Sequence, residues 1–122
     1  MKRDLELSRS ILAFVEEHSP PEGGLEKPLE VEGYDHQTIL AHAELLIEEG
    51  LLHGKVLRAL VGIVDVMIER LSAAGHDAIA AARNDSAWHK AKKVAAERGA
   101  SLTFGVLVEI IKAEARVRLG LP

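Results

Sequence analysis

Three observations predict a mainly helical α+β fold. Apolar residues recur at helical spacing in separate segments at both ends of the chain. Between them, Leu51 to Leu71 switches to β-branched and aliphatic residues with a period of two, with Gly62 near the middle where a hairpin must turn. The 122 residues are 48% hydrophobic and 28% charged, a length and composition that suit one compact unit with a single core.

The elements follow in order. "RDLELSRSILAFVEEH" places Leu7, Ile11, Phe14 and Val15 on one helical face, with Arg9, Glu16 and Glu17 opposite. "SPPEGG" ends that helix, because two prolines and two glycines in succession cannot continue it. "LEVEGYD" alternates Leu29 and Val31 inward with Glu30 and Glu32 outward and predicts a short edge strand. Asp35 is placed to cap the next helix, whose buried stripe is Ile39, Leu40, Ala43, Leu46 and Ile47 and whose stop is Gly50. Two antiparallel strands are predicted over 53–60 and 63–71. Three helices then follow: one capped by Ser72 and reaching about Arg83, one capped by Asp85 or Ser86 and ending before Gly99, and one capped by Ser101 or Thr103 and ending near Gly120. This order gives a first domain over 1–84 and a helical extension over 85–122, packed as one unit.

Charge is unevenly spread. Met1 to Gly50 carries 4 basic and 12 acidic residues, net −8, whereas Leu51 to Pro122 carries 11 basic and 7 acidic, net +4, for an overall −4. Such a balance argues against a protein whose main task is neutralising phosphate. The absence of cysteine excludes disulfides, thiolate metal sites and a cysteine nucleophile. His36 and His42 fall about 240° apart on a helix, "HAELL" lacks the second histidine of a zinc-peptidase motif, and His53 stands on a strand. His18 at a helix end suits the negative dipole there, and His76 suits a structural hydrogen bond. Neither metal nor cofactor is expected. With no catalytic template among the motifs, no enzymatic activity is expected either. No apolar run reaches the roughly 20 residues that span a bilayer, and "MKRDLELSRS" has no signal-peptide core, so a cytoplasmic location without a membrane partner is expected.

The stretch "TILAHAELLIEEGLLHGK", a helix running through an acidic-glycine end into a hairpin, resembles the reading helix and first wing strand of a winged helix-turn-helix protein. Three further stretches resemble an uncharacterised bacterial and prophage family of winged-helix proteins, one of the domain-of-unknown-function families and a relative of the YjcQ-like proteins. These are "MKRDLELSRSIL"; "RLSAAGHDAIAAARND", through Arg70, Leu71, Gly75, His76, Ala82, Arg83 and Asp85; and "WHKAKKVAAERGASLTFGVL", through Trp88, Lys90, Ala91, Lys92 and Ser101 to Phe104. The resemblance implies a winged-helix core with a small antiparallel sheet and a C-terminal helical extension. It implies no activity. Two departures stand out: Ala74 or Ala78 replaces an aromatic residue usual in the family, and "SPPEGGLEKPLEVEGY" leaves at most one helical turn where a positioning helix would lie.

If the helix reads duplex DNA, Gln37, Thr38, Ala41 and His42 are its candidate contacts, with Lys55 and Arg58 touching phosphate from the wing. The same outer face carries Leu45 and Glu48, flanked by Glu44 and Glu49, and no lysine or arginine follows Asp35 within the helix. Two functions are therefore expected to compete. One is a phage- or prophage-type accessory transcription regulator that binds DNA. The other is a protein-interaction adaptor that keeps the winged-helix scaffold and binds a basic protein surface through Leu45 and the acidic face. Trp88, Ala91, Val94 and Ala95 share a helical face, so the ring in "WHKAKK" is expected to pack while its lysines face water. In the last helix Phe104, Leu107, Val108, Ile111 and Ala115 form one apolar stripe. A second, Val106, Ile110, Ala113 and Val117, predicts self-association into a homo-oligomer.

Overall fold

The computed structural model describes residues 1–99 and 102–122. The described residues form a mainly helical α+β chain: α1 (Leu5–His18), α2 (His36–Glu48), β1 (Leu52–Ala59), β2 (Gly62–Leu71), α3 (Ala73–Ala82), α4 (Asp85–Glu97) and α5 (Phe104–Arg118). They divide into two compact units, Met1–His76 and Asp77–Pro122. The division falls inside α3.

In the first unit α1 packs on α2, and both pack on the hairpin. Leu7, Ile11 and Val15 from α1, Ile39, Leu40, Ala43 and Leu46 from α2, and Val66 and Ile68 from β2 are all buried. Helix α1 starts where the Asp4 carboxylate accepts the Leu7 N–H at 3.1 Å, and α2 where Asp35 accepts the Thr38 N–H at 2.7 Å. Gly50, at φ 77°, ends α2 in the left-handed region, and the Leu51 N–H returns to the Leu46 carbonyl at 2.9 Å.

The hairpin is a two-stranded antiparallel sheet in which Leu52 faces Leu71, Val56 faces Val66 and Ala59 faces Gly62, with register shifts at His53/Gly54 and Leu57/Arg58. The strand expected at Leu29 and Val31 is absent: Leu29 is buried, yet 29–31 joins no ladder. The nearby backbone reaches β2 through one bond, Leu25 N–H to Ile68 carbonyl at 3.1 Å. Alternation can bury one side chain without recruiting the repeated N–H and C=O pairs that make a strand.

Ser72 caps α3 and ties it to the preceding turn. Its hydroxyl accepts the Gly75 N–H at 2.9 Å and donates to the Gly50 carbonyl at 2.5 Å, while its own N–H reaches the Leu51 carbonyl at 3.1 Å. Gly75 is required there, because a Cβ would collide with the Leu51 backbone.

In the second unit α4 packs against α5. Trp88 and Phe104 are fully buried with ring centroids 5.3 Å apart, and Ala91, Ala95, Leu107, Val108 and Ile111 complete this core. The ring of Trp88 thus packs as expected, and Lys90 points outward to Glu114 at 3.1 Å. The cap of α4 is Asn84, not Asp85 or Ser86, its side chain accepting the Ala87 N–H at 2.9 Å. Thr103 caps α5 through the Val106 N–H at 3.1 Å; Ser101 lies outside the described residues.

Candidate functional site

The candidate contacts are distributed over α2 and the hairpin that follows it. Gln37 and Glu48 are exposed, and Thr38, Ala41 and Leu45 half-exposed, so this side of α2 is open to a partner. Its inner side is Ile39, Leu40, Ala43 and Leu46.

His42 belongs to the inner side, and its assignment as a DNA contact is corrected accordingly. It is fully buried. Its Nδ1 lies 2.8 Å from the Thr38 carbonyl, and its Nε2 accepts the Asp4 N–H at 2.8 Å. A carbonyl can only accept and an amide N–H can only donate, so this geometry assigns the neutral ring protonated on Nδ1. The helical wheel sets His42 beside the buried stripe, but the amide that satisfies it comes from 38 residues away, a distance no local pattern reads.

Around this ring lies a polar latch between α1 and α2. Tyr34 donates its hydroxyl to Asp4 Oδ2 at 2.7 Å. Burial pushes the Asp4 carboxyl up, but the hydrogen bonds from the Tyr34 hydroxyl and the Leu7 and Glu6 N–H groups outweigh it and hold the carboxyl below its ordinary range. The same bond to Asp4, with burial, pushes the Tyr34 phenol up. Asp4 and Tyr34 carry no motif signal; only the cap position of Asp4 was available to suggest a role.

The hairpin does not offer two convergent cations. Arg58 is turned to α2, where its guanidinium pairs with the carboxylate of Glu44. Lys55 stands three positions earlier on β1 and is exposed; the rise of a strand sets its backbone about 10 Å from that of Arg58. Helix α2 itself, "HQTILAHAELLIE", contains neither lysine nor arginine. The structure therefore gathers Gln37, Thr38, Ala41 and Leu45 on one face, pairs Arg58 with Glu44 beside it and separates Lys55 from that pair.

Apolar exposure at the end of the hairpin escaped the sequence reading. Leu60 and Val61 form the turn and are 107% and 96% exposed, and Leu57 and Met67 are exposed behind them. Gly62, at φ 122°, supplies the backbone freedom the turn needs. The signal was present as "LVG" at a hairpin tip, where polar turn residues are usual. Beside β2 the segment 24–29 borders an open groove of about 460 Å³, lined by Leu25, Glu26, Leu29, His36, Asp65 and Met67 among others. Its charges are mixed, with Glu26 and Asp65 outnumbering Lys27.

Comparison with known proteins adds a family and no activity. The sequence pattern of a family described as "Hypothetical protein (DUF2513)" matches residues 2–101, from α1 through α4. An uncharacterised protein of Haemophilus influenzae is 28% identical over 110 residues, covering 90% of this chain and 92% of its own. No solved structure matches the chain. With most of its length matched, the chain belongs to the DUF2513 family of hypothetical proteins.

Proposed function

We propose that this chain is a non-enzymatic winged-helix protein that docks another protein, rather than duplex DNA, through the outer face of α2 and the hairpin. A helix leading through Gly50 directly into a two-stranded hairpin supports the winged-helix frame. The observation that carries the choice of partner is the Arg58–Glu44 pair. The one hairpin arginine facing α2 is already neutralised, on a helix that supplies no cation of its own. Binding DNA here would release few counterions while bringing exposed Glu48 toward phosphate. A protein surface with basic groups opposite Glu48 and an apolar recess for Leu60 and Val61 matches both the charge and the exposed aliphatic area. The motif order supports the finer relationship as well: a protein of bacterial and prophage type, related to YjcQ-like proteins.

Exposed Gln37, with Thr38 and Ala41 on the first turns of α2, favours a second reading, an accessory regulator that touches base edges in the major groove. Two experiments separate the readings. Fluorescence anisotropy with mixed-sequence duplex DNA at low salt is expected to show no binding for the docking protein. For the regulator it shows binding that weakens steeply with salt. A photo-crosslinking residue at Leu45 is expected to capture a discrete protein in cells, while one at exposed Glu22 does not, and Glu48→Lys is expected to reduce that capture. Equal background at Leu45 and Glu22 contradicts the docking reading.

A further inference from the structure

Helix α5 carries more apolar surface than its own unit covers. Phe104, Leu107, Val108 and Ile111 are buried. On the adjacent stripe Val106 and Ile110 are half-exposed, Ala113 is exposed and Val117 is 74% exposed. From Val106 to Val117 this stripe runs about 17 Å along the helix. Together with Val94 and Arg98 of α4, its first three residues line an open groove of about 600 Å³.

We propose that this stripe is the contact between two copies of the chain, with the two α5 helices packed antiparallel about a two-fold axis lying between Ile110 and Ala113. The argument is self-complementarity under reversal. Turning a second α5 end for end sets Val106 opposite Val117 and Ile110 opposite the smaller Ala113, so each aliphatic side chain of the stripe meets another. At 100° per residue, Glu109 and Arg116 lie on the same flank of the stripe, and reversal brings each toward the other's counterpart in the second copy. Two opposite-charge pairs result, one on each side of the axis. A parallel two-fold instead puts the Glu109 and Arg116 flanks of the two copies on opposite sides of the stripe, so neither opposite-charge pair forms. Glu109 lies 4.0 Å from Lys112 in its own helix, an exposed pair that leaves it free to turn to Arg116 of the second copy, and on the other flank Glu114 is held by Lys90 at 3.1 Å. One helix per copy buries less than the roughly 1,200 Å² of a standard interface, which makes the dimer weak and reversible.

Sedimentation of the full chain from about 1 µM to 1 mM is expected to show monomers associating to dimers as concentration rises. Glu109→Arg and Arg116→Glu each place like charges in both symmetric pairs, and each is expected to raise the dissociation constant about tenfold. The double variant restores the pairs in exchanged order and is expected to return to within about threefold of the unmodified chain. Both side chains are exposed, so circular dichroism is expected to be unchanged. Because the chain has no cysteine, Val106→Cys and Val117→Cys give a clean second reading: an equimolar mixture is expected to form a linked heterodimer under oxidation, and neither variant alone a linked homodimer. A monomer at every concentration overturns the contact. Single variants without effect, a double variant weaker than either, or efficient linking of Val117→Cys to itself overturns the antiparallel arrangement.

Discussion

Helices α2 and α5 are both amphipathic and both begin at a side-chain cap, yet they break the inside-outside rule in opposite directions. In α2 a polar ring, His42, is fully buried; in α5 the aliphatic Val117 is 74% exposed. Partners explain the first case. Asp4 and Thr38 satisfy both ring nitrogens, which removes the cost of an unpaired polar group in the core. In the second case the α4–α5 core is complete with Phe104, Leu107 and Ile111, leaving the neighbouring stripe uncovered. Burial is decided by what lies opposite a residue, so a polar side chain can be structural and an apolar one can belong to a surface.

Breaking the α2 side should have the largest effect. His42→Leu keeps the bulk but removes both ring hydrogen bonds and leaves the Asp4 N–H unpaired. A loss of about 3 kcal/mol is expected in urea unfolding, and a loss below about 1 kcal/mol would show that the latch contributes little. Gly75→Ala tests the turn that joins the hairpin to α3. Its added methyl meets Leu51 backbone, which cannot give way as a flexible side chain can, and a loss of about 2 kcal/mol is expected in the same assay.

Tyr34→Phe removes one bond to Asp4 and should cost about 1 kcal/mol at neutral pH. It also carries a pH signature. The folded Asp4 carboxyl lies below the ordinary value of an unfolded chain, so its contribution is fully present above that ordinary value and is lost as pH falls through the lower, folded one. Without Tyr34 the folded value moves back up, and the acid unfolding midpoint should rise; an unchanged midpoint would remove Tyr34 from the latch. At the small end, Val117→Ser alters only exposed surface and should change monomer stability by less than about 0.5 kcal/mol. A larger loss would mean that Val117 is core, and that the contrast between the two helices does not hold.

Much of the frame was legible in the residues. The period change at Leu51 located the hairpin, and Asp35, Ser72 and Thr103 announced their caps because a capping side chain acts within three residues of itself. Gly75 entered through a motif, and its reason became plain only when the Leu51 carbonyl was seen beside it. What stayed hidden depends on distant groups. The Leu29–Val31 alternation joins no ladder, since a strand needs a neighbour as well as a pattern. His42 suited DNA as an isolated side chain, and its burial against the Asp4 N–H, 38 residues away, takes it off the surface; Arg58 pairs with Glu44, 14 residues away. Asn84 took the α4 cap from Asp85 and Ser86, a shift of one position within a run of residues that can all cap.

The proposed partner choice is tested most directly by titrating duplex DNA into the intact chain at about 50 mM salt, in parallel with its Glu44→Gln variant. The account predicts no measurable binding by the unmodified chain, and at most weak, salt-sensitive binding by the variant, in which Arg58 has lost its carboxylate. Tight binding by the unmodified chain that falls steeply with salt and is lost in Lys55→Ala would contradict it.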